Sequence, residues 1–108
     1  MRNMPAVLVV EDESAIAELI AVNLRHNGFR PRWAMDSESA QREIDAAVPD
    51  LILLDWMLPG ESGLTLAKRW RSDPRTKDTP IIMLTARGDE ADRVAGLDAG
   101  CLLYTSPS

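Results

Sequence analysis

The chain has very few of the residues that build disulfide frameworks and soft-metal sites. Cys101 is the only cysteine and His26 is the only histidine among the 108 residues. One cysteine cannot form an intrachain disulfide, and it leaves no thiolate pair for a cysteine-based metal site. The sequence therefore excludes a disulfide-stabilised scaffold, makes zinc or copper binding a poor explanation, and is compatible with a reducing compartment.

Long apolar runs and excess positive charge are also lacking. No run approaches the roughly 20 apolar residues that span a bilayer, and residues 1–5 lack the apolar core of a signal peptide. The net charge of −5 argues against binding of this segment to the phosphate backbone of a nucleic acid. With 45% hydrophobic residues the chain can bury the core of one domain. We expect a cytoplasmic protein with no membrane contact.

One stretch dominates what is present: residues 50–60, which read DLILLDWMLPG. Four consecutive apolar residues between Asp50 and Asp55 predict a short strand that is buried on both faces. Pro59 and Gly60 then predict a sharp turn, because proline fixes its own φ and glycine tolerates unusual backbone angles. Asp55 is thus placed at the rim of a sheet, beside a turned loop.

Three further segments have the composition of strands. The first, AVLVV at residues 6–10, ends abruptly in three acids, and IIML at residues 81–84 ends before Thr85. Residues 29–35 form a weaker strand that contains Pro31, and proline is tolerated mainly at the edge of a sheet. We therefore expect three buried strands and one edge strand.

Helical spacing separates these strands. The predicted helices begin near Glu13 or Ser14, Asp36 or Ser37, Ser62 or Gly63, and Gly88 or Asp89. They are expected to end at Gly28, Pro49, residues 72–74 and Gly100. The apolar positions expected to lie on one stripe of each helix are Ile16, Leu19, Ile20 and Leu24; Ala40, Ile44 and Ala47; Leu66 and Trp70; and Val94 and Leu97.

Strands that alternate with helices, and that are almost continuously apolar, indicate a parallel sheet covered on both faces. Right-handed crossovers make this a doubly wound α/β fold, which binds ligands beyond the carboxyl ends of its strands. Glu11, Asp12, Asp55 and Thr85 all follow or end predicted strands at that edge.

Carboxylates that converge on one edge repel each other unless protons or a cation neutralise them. Magnesium suits one or two carboxylates plus water and an incoming phosphate, whereas calcium needs six or more oxygens. With Mg²⁺ bound, Asp55 can act as a nucleophile toward a phosphoryl group, and Thr85 can donate a hydrogen bond to a phosphoryl oxygen. Taken singly, however, Asp55 could be a helix cap and Thr85 could bond a loop amide.

Three segments, VLVVEDE at residues 7–13, LILLDWMLPG at 51–60 and IMLTAR at 82–87, resemble the receiver domain of two-component response regulators. The order and spacing of all three match, and residues 55–60 and 87–94 are similar to winged-helix transcriptional regulators such as those of the phosphate regulon. The resemblance implies a flavodoxin-like sheet of order 2-1-3-4-5.

The same resemblance implies roles for five residues. Asp55 is the phosphoacceptor, Asp12 and Asp55 ligate Mg²⁺ with the backbone carbonyl of Met57, Glu11 supports the metal through water, and Thr85 is the switch hydroxyl. It also implies a sensor histidine kinase as phosphodonor, no enzymatic turnover, and a homodimer with DNA-binding output in a full-length protein whose output domain is absent from this chain.

The match breaks down after Gly100. Residues 1–100 are expected to form the receiver domain, with the fifth strand and last helix missing or incomplete. Residues 101–108 are interpreted as a tail of artefactual origin, in which Pro107 replaces the family's phosphate-contacting lysine. The fourth strand is then expected to be an uncovered edge.

Three other readings remain open. A flavin or nucleotide module would need a phosphate loop after the first strand, where acids stand instead. A phosphatase using Asp55 would need a second acid at the position of Met57. A receiver-like module that binds partners without phosphorylation is favoured by the absent lysine.

Overall fold

A single parallel sheet forms the centre of the computed structural model, which describes residues 4–56, 58, 61–84 and 103–104. Its strands are β1 (Ala6–Val10), β2 (Arg30–Ala34), β3 (Leu51–Asp55), β4 (Ile81–Leu84) and β5 (Leu103–Tyr104). The strand order is β2-β1-β3-β4-β5, and every neighbouring pair is parallel. The predicted doubly wound α/β fold and its order 2-1-3-4-5 are confirmed.

Three helices connect these strands within the described part of the chain: α1 (Ser14–His26), α2 (Ser37–Ala46) and α3 (Gly63–Ser72). Asp36 and Ser62 cap α2 and α3, because their side chains accept hydrogen bonds from the amides of Ser39 and Thr65. The helix predicted between Gly88 and Gly100 and the turn at Pro59 and Gly60 lie outside the described residues.

The two faces of the sheet carry separate clusters of apolar side chains. On one face α2 and α3 contribute Ala40, Ile44, Leu66 and Trp70 to the larger cluster, beside the central strand residues. On the other face Ile20 and Leu24 of α1 pack against Val7, Val9 and Leu53. Because β1 and β3 are covered on both faces, their continuous apolar sequences are explained.

The apolar stripe expected on α1 is partly wrong. Ile20 and Leu24 face the sheet as predicted, but Ile16 is exposed and Leu19 is 64% exposed. Ala17 is the buried residue of this helix. Positions 17, 20 and 24 follow the spacing of one helical face, and 16 and 19 are turned away from it. In α2, Ala47 likewise lies just beyond the helix and is exposed.

The expectation that β4 is an uncovered edge is also wrong. β5 pairs with it in parallel, with Ile82 opposite Leu103 and Met83 opposite Tyr104. Ladder pairing uses backbone groups, so a segment whose side chains depart from the family pattern can still supply it. The strand is only two residues long, consistent with an incomplete fifth strand.

At the opposite edge, β2 contains Pro31 and pairs only with β1, as predicted for a strand that includes proline. Within the described residues, every helix is too short or too polar to cross a membrane.

Candidate functional site

Three carboxylates meet at the carboxyl ends of two central strands. Asp55 is the last residue of β3, while Glu11 and Asp12 directly follow β1, its neighbour in the sheet. One carboxylate oxygen from each of the three lies within 4.8 Å of the other two. The chain leaves β1 toward β2 on one side and returns to β3 on the other, so the acids lie at the point where the strand order reverses.

Glu11 is the most enclosed of the three acids, with only 5% of its surface exposed. Burial raises the pKa of Glu11 to about 7, and the charge of Asp55 and hydrogen bonds to Asp12 and Asp55 act in the same direction. The Glu13 amide opposes the rise by donating a hydrogen bond of 3.1 Å to Oε2 of Glu11. The carboxyl group of Glu11 is therefore harder to ionise than that of an exposed glutamate.

The backbone around Asp55 is held from two directions. The amide of Trp56 donates to the carbonyl of Leu84 at 3.3 Å, and the carbonyl of Trp56 accepts from the amide of Gly63 at 2.8 Å. Trp56 itself is 8% exposed and packs in the larger apolar cluster, so it is a packed core residue. Asp55 is thus half-buried, and the peptide groups of the residue that follows it are hydrogen-bonded both to β4 and to the start of α3.

Gly63 permits the close approach of α3 to the backbone of Asp55 and Trp56. A Cβ atom at position 63 would lie 2.3 Å from the carbonyl oxygen of Asp55, which is closer than any real contact of that kind. Only a residue without a side chain fits there.

Two predicted site residues, Met57 and Thr85, lie outside the described residues. Leu84, which directly precedes Thr85 in the chain, pairs with Asp55 in the β3–β4 ladder.

Sequence reasoning missed the contribution of Trp33. Its indole Nε1 donates a hydrogen bond of 2.7 Å to the backbone carbonyl of Glu11, from the edge strand β2. The register that pairs Trp33 with Val9 brings this about, and no local pattern in the sequence reveals that register.

Fold and site together define a class of protein: a doubly wound α/β domain with an oxygen-rich acidic cluster at its switch point, which could hold a metal ion. The family model described as "Response regulator receiver domain" matches residues 7–106. The chain belongs to the response regulator receiver domain family.

Curated relatives include two transcriptional regulators. The chain is 51% identical over 94 residues to the phosphate regulon transcriptional regulatory protein PhoB of Escherichia coli, covering 87% of this chain and 41% of that protein. It is 41% identical over 97 residues to the DNA-binding dual master transcriptional regulator RpaA of Synechocystis, covering 90% of this chain and 40% of that protein. The chain thus spans about two fifths of the length of these relatives.

Solved structures agree with this membership. A putative response regulator from Chloroflexus aurantiacus is 39% identical with a TM-score of 0.92, covering 97% of this chain and 86% of that chain. The BeF3-activated N-terminal receiver domain of RstA from Klebsiella pneumoniae is 30% identical with a TM-score of 0.85, covering 94% of this chain and 88% of that chain.

Proposed function

We propose that this receiver domain accepts a phosphoryl group on Asp55 from a sensor histidine kinase, with Mg²⁺ held by Glu11, Asp12, Asp55 and the backbone carbonyl of Met57. The observation that carries the proposal is the convergence of three carboxylates at the ends of β1 and β3. All the donors are oxygens, which is the ligand type that magnesium prefers. Burial and the nearby charge of Asp55 raise the pKa of Glu11, and a bound cation would offset both costs of keeping its carboxylate charged.

Asp55 is better suited to attack phosphorus than its two neighbours. Glu11 is 5% exposed, so a phosphodonor has little access to its carboxylate, and Asp12 lies in the exposed loop after β1 and not at the end of a strand. Asp55 is half-buried but still partly accessible, and hydrogen bonds hold the Trp56 backbone next to it. A carboxylate that is both accessible and held in place can approach a donor in line.

In the proposed reaction a carboxylate oxygen of Asp55 forms a bond to phosphorus. The bond between phosphorus and the imidazole nitrogen of the donor's phosphohistidine breaks, and that nitrogen keeps the bonding electron pair. Mg²⁺, when bound, neutralises charge on the carboxylates and on the phosphoryl oxygens. The product is an acyl phosphate on Asp55, so the chain is a phosphoacceptor and not an enzyme that turns over a small substrate.

Thr85 is proposed as the hydroxyl that donates a hydrogen bond to a phosphoryl oxygen. The pairing of Asp55 with Leu84, which precedes Thr85, supports this placement. Such a bond would couple the presence of the phosphoryl group to the position of the chain at the carboxyl end of β4.

The downstream consequence is proposed from the relatives. PhoB and RpaA are named as transcriptional regulators, and RpaA as DNA-binding. We propose that the full-length protein is cytoplasmic, forms a homodimer, and binds DNA through an output domain outside these residues. A receiver-like module that is not phosphorylated is the alternative, because Pro107 stands where the family has lysine.

Intact-mass spectrometry after incubation with acetyl phosphate tests the proposal. With Mg²⁺ we expect one phosphoryl adduct, and with excess chelator we expect none. Asp55→Asn, which keeps the size of the side chain but removes the nucleophilic charge, should give no adduct under either condition. A folded wild-type chain that binds Mg²⁺ without forming an adduct would favour the alternative.

A further inference from the structure

Trp33, on the edge strand β2, donates its indole N–H to the carbonyl oxygen of Glu11 at 2.7 Å. We propose that Trp33 is a positioning residue, which holds the peptide group between Glu11 and Asp12 so that both carboxylates face Asp55. The inference rests on the proposed function, because it assigns Trp33 a role in Mg²⁺ binding at that site.

Strand β2 binds the main chain of Glu11 at both of its polar groups. The amide of Glu11 donates to the carbonyl of Ala34 at 3.0 Å, and its carbonyl accepts the bond from Trp33. The carbonyl of Glu11 and the amide of Asp12 belong to one planar peptide group. Because the hydrogen bond holds this carbonyl, it also holds the orientation of the whole peptide group. The direction in which the main chain continues into Asp12 is thereby restricted.

The surroundings of Trp33 favour a positioning role over a core role. The residue is 46% exposed, and its ring lines a groove along α1 that includes the small side chains of Ala17 and Ala21. Core tryptophans of this chain are different, since Trp70 is fully buried. The Trp33 ring gains comparatively little from burial, and the contact that ties it to the site is its hydrogen bond to Glu11.

The acidic cluster has a physical need for such a constraint. The three carboxylates lie within 4.8 Å of each other and repel when charged, so a free loop would relax by moving them apart. A backbone held in the binding geometry loses less entropy when the cation binds. From the usual net strength of one hydrogen bond we expect its loss to weaken Mg²⁺ binding about threefold to tenfold.

Trp33→Phe tests the inference, because phenylalanine keeps an aromatic ring in the groove but has no N–H. Trp70→Phe is the matched control: it also removes one indole N–H bond, from Nε1 of Trp70 to the side chain of Gln41 of α2 at 3.0 Å, but this bond does not involve the main chain of the acidic cluster. Mg²⁺ affinity is measured by calorimetry, which does not depend on tryptophan fluorescence, and stability by urea unfolding without metal.

We expect Trp33→Phe to raise the Kd for Mg²⁺ about threefold to tenfold with little change in the urea midpoint. Trp70→Phe should lower the midpoint clearly and leave the Kd within about twofold of wild type. Unchanged affinity in Trp33→Phe, or an equal loss of affinity in Trp70→Phe, would overturn the inference while the proposed function stands. A folded wild-type chain that does not bind Mg²⁺ would overturn both.

Discussion

Glu11 is a buried acid, and its surroundings disfavour the charged form of its side chain. Only 5% of it is exposed, and the negative charge of Asp55 lies close by, so its pKa rises from 4.5 to about 7. Mg²⁺ and the proton then compete for the same group. We infer that metal binding strengthens as the pH rises toward 7 and changes less above it.

The raised pKa also predicts how the stability of the metal-free chain depends on pH. Between pH 4.5 and about 7 the folded chain binds more protons at Glu11 than the unfolded chain does, so this group's contribution to stability falls as the pH rises through that window. Glu11→Gln should remove this part of the dependence and stabilise the metal-free chain at pH 8 by on the order of 1–2 kcal/mol. Urea unfolding at pH 5 and pH 8 checks it.

Glu13→Gln provides the control for that measurement. It removes a negative charge two residues away, but Glu13 is exposed, and only its backbone amide contacts Glu11. The control should retain the pH dependence of the wild type. If Glu11→Gln retains it too, the raised pKa of Glu11 is not its source.

At the residue scale, the sequence alone predicted that Glu11, Asp12 and Asp55 would share one edge, because parallel strands carry their carboxyl ends to the same side. It did not predict how deeply Glu11 is buried or that Trp33 bonds its carbonyl. Both depend on the lateral pairing of β1 with β2, whose partners lie 24 residues apart in the chain, as in Val9 and Trp33.

At the scale of single elements, the start of α3 matters most for the site. Ser62 caps the helix by accepting a hydrogen bond from Thr65, and Gly63 follows as the first helical residue. The amide of Gly63 donates to the carbonyl of Trp56, so the helix start is tied to the backbone that follows Asp55. The position of the helix and the position of Asp55 are therefore coupled.

Gly63→Ala should damage both stability and the site. The added Cβ meets backbone atoms of Asp55 and Trp56, which cannot rotate aside, so we expect a loss of on the order of 2–3 kcal/mol and weaker Mg²⁺ binding. Urea unfolding and calorimetry measure the two effects.

Gly28→Ala is the control that separates a loss of stability from a direct effect on Mg²⁺ binding. Gly28 has a φ of 84° and open space around it, so alanine there is strained by its backbone angle alone, at a cost of about 1–2 kcal/mol. It lies after α1, at the opposite end of the strands from the acids. A loss of metal affinity in Gly28→Ala equal to that in Gly63→Ala would show that general destabilisation, and not contact with Asp55, weakens the site.

Helix and strand positions followed closely from capping residues and apolar runs, as the starts of α2 and α3 show. The stripe on α1 did not. Ile16, Leu19, Ile20 and Leu24 are all apolar, so hydrophobicity alone could not decide which of them face the sheet, and the buried position went to the small Ala17. The resemblance gave the order 2-1-3-4-5, but residues 103–104 were not expected to cover β4, because the sequence departs there from the family pattern and a backbone ladder does not require matching side chains.

Considered as a whole molecule, the chain carries a net charge of −5 and spans about two fifths of regulators such as PhoB. Affinity for nucleic acid rests on clustered positive charge. We therefore expect no detectable binding of duplex DNA by this chain at physiological salt, with or without acetyl phosphate. A mobility-shift titration checks this, and a retarded band would show that the receiver itself contributes to DNA contact.

The proposed role of Asp55 as the phosphoacceptor is tested most directly by locating the modified residue. Borohydride reduces an acyl phosphate to the alcohol, which converts a phosphorylated aspartate to homoserine. After incubation with acetyl phosphate and Mg²⁺ and then reduction, peptide mass mapping should find homoserine at position 55. It should find no equivalent reduction product at position 11 or position 12. Reduction at Asp12 instead, or none in a chain shown to be folded and to bind Mg²⁺, would show that Asp55 is not the phosphoacceptor.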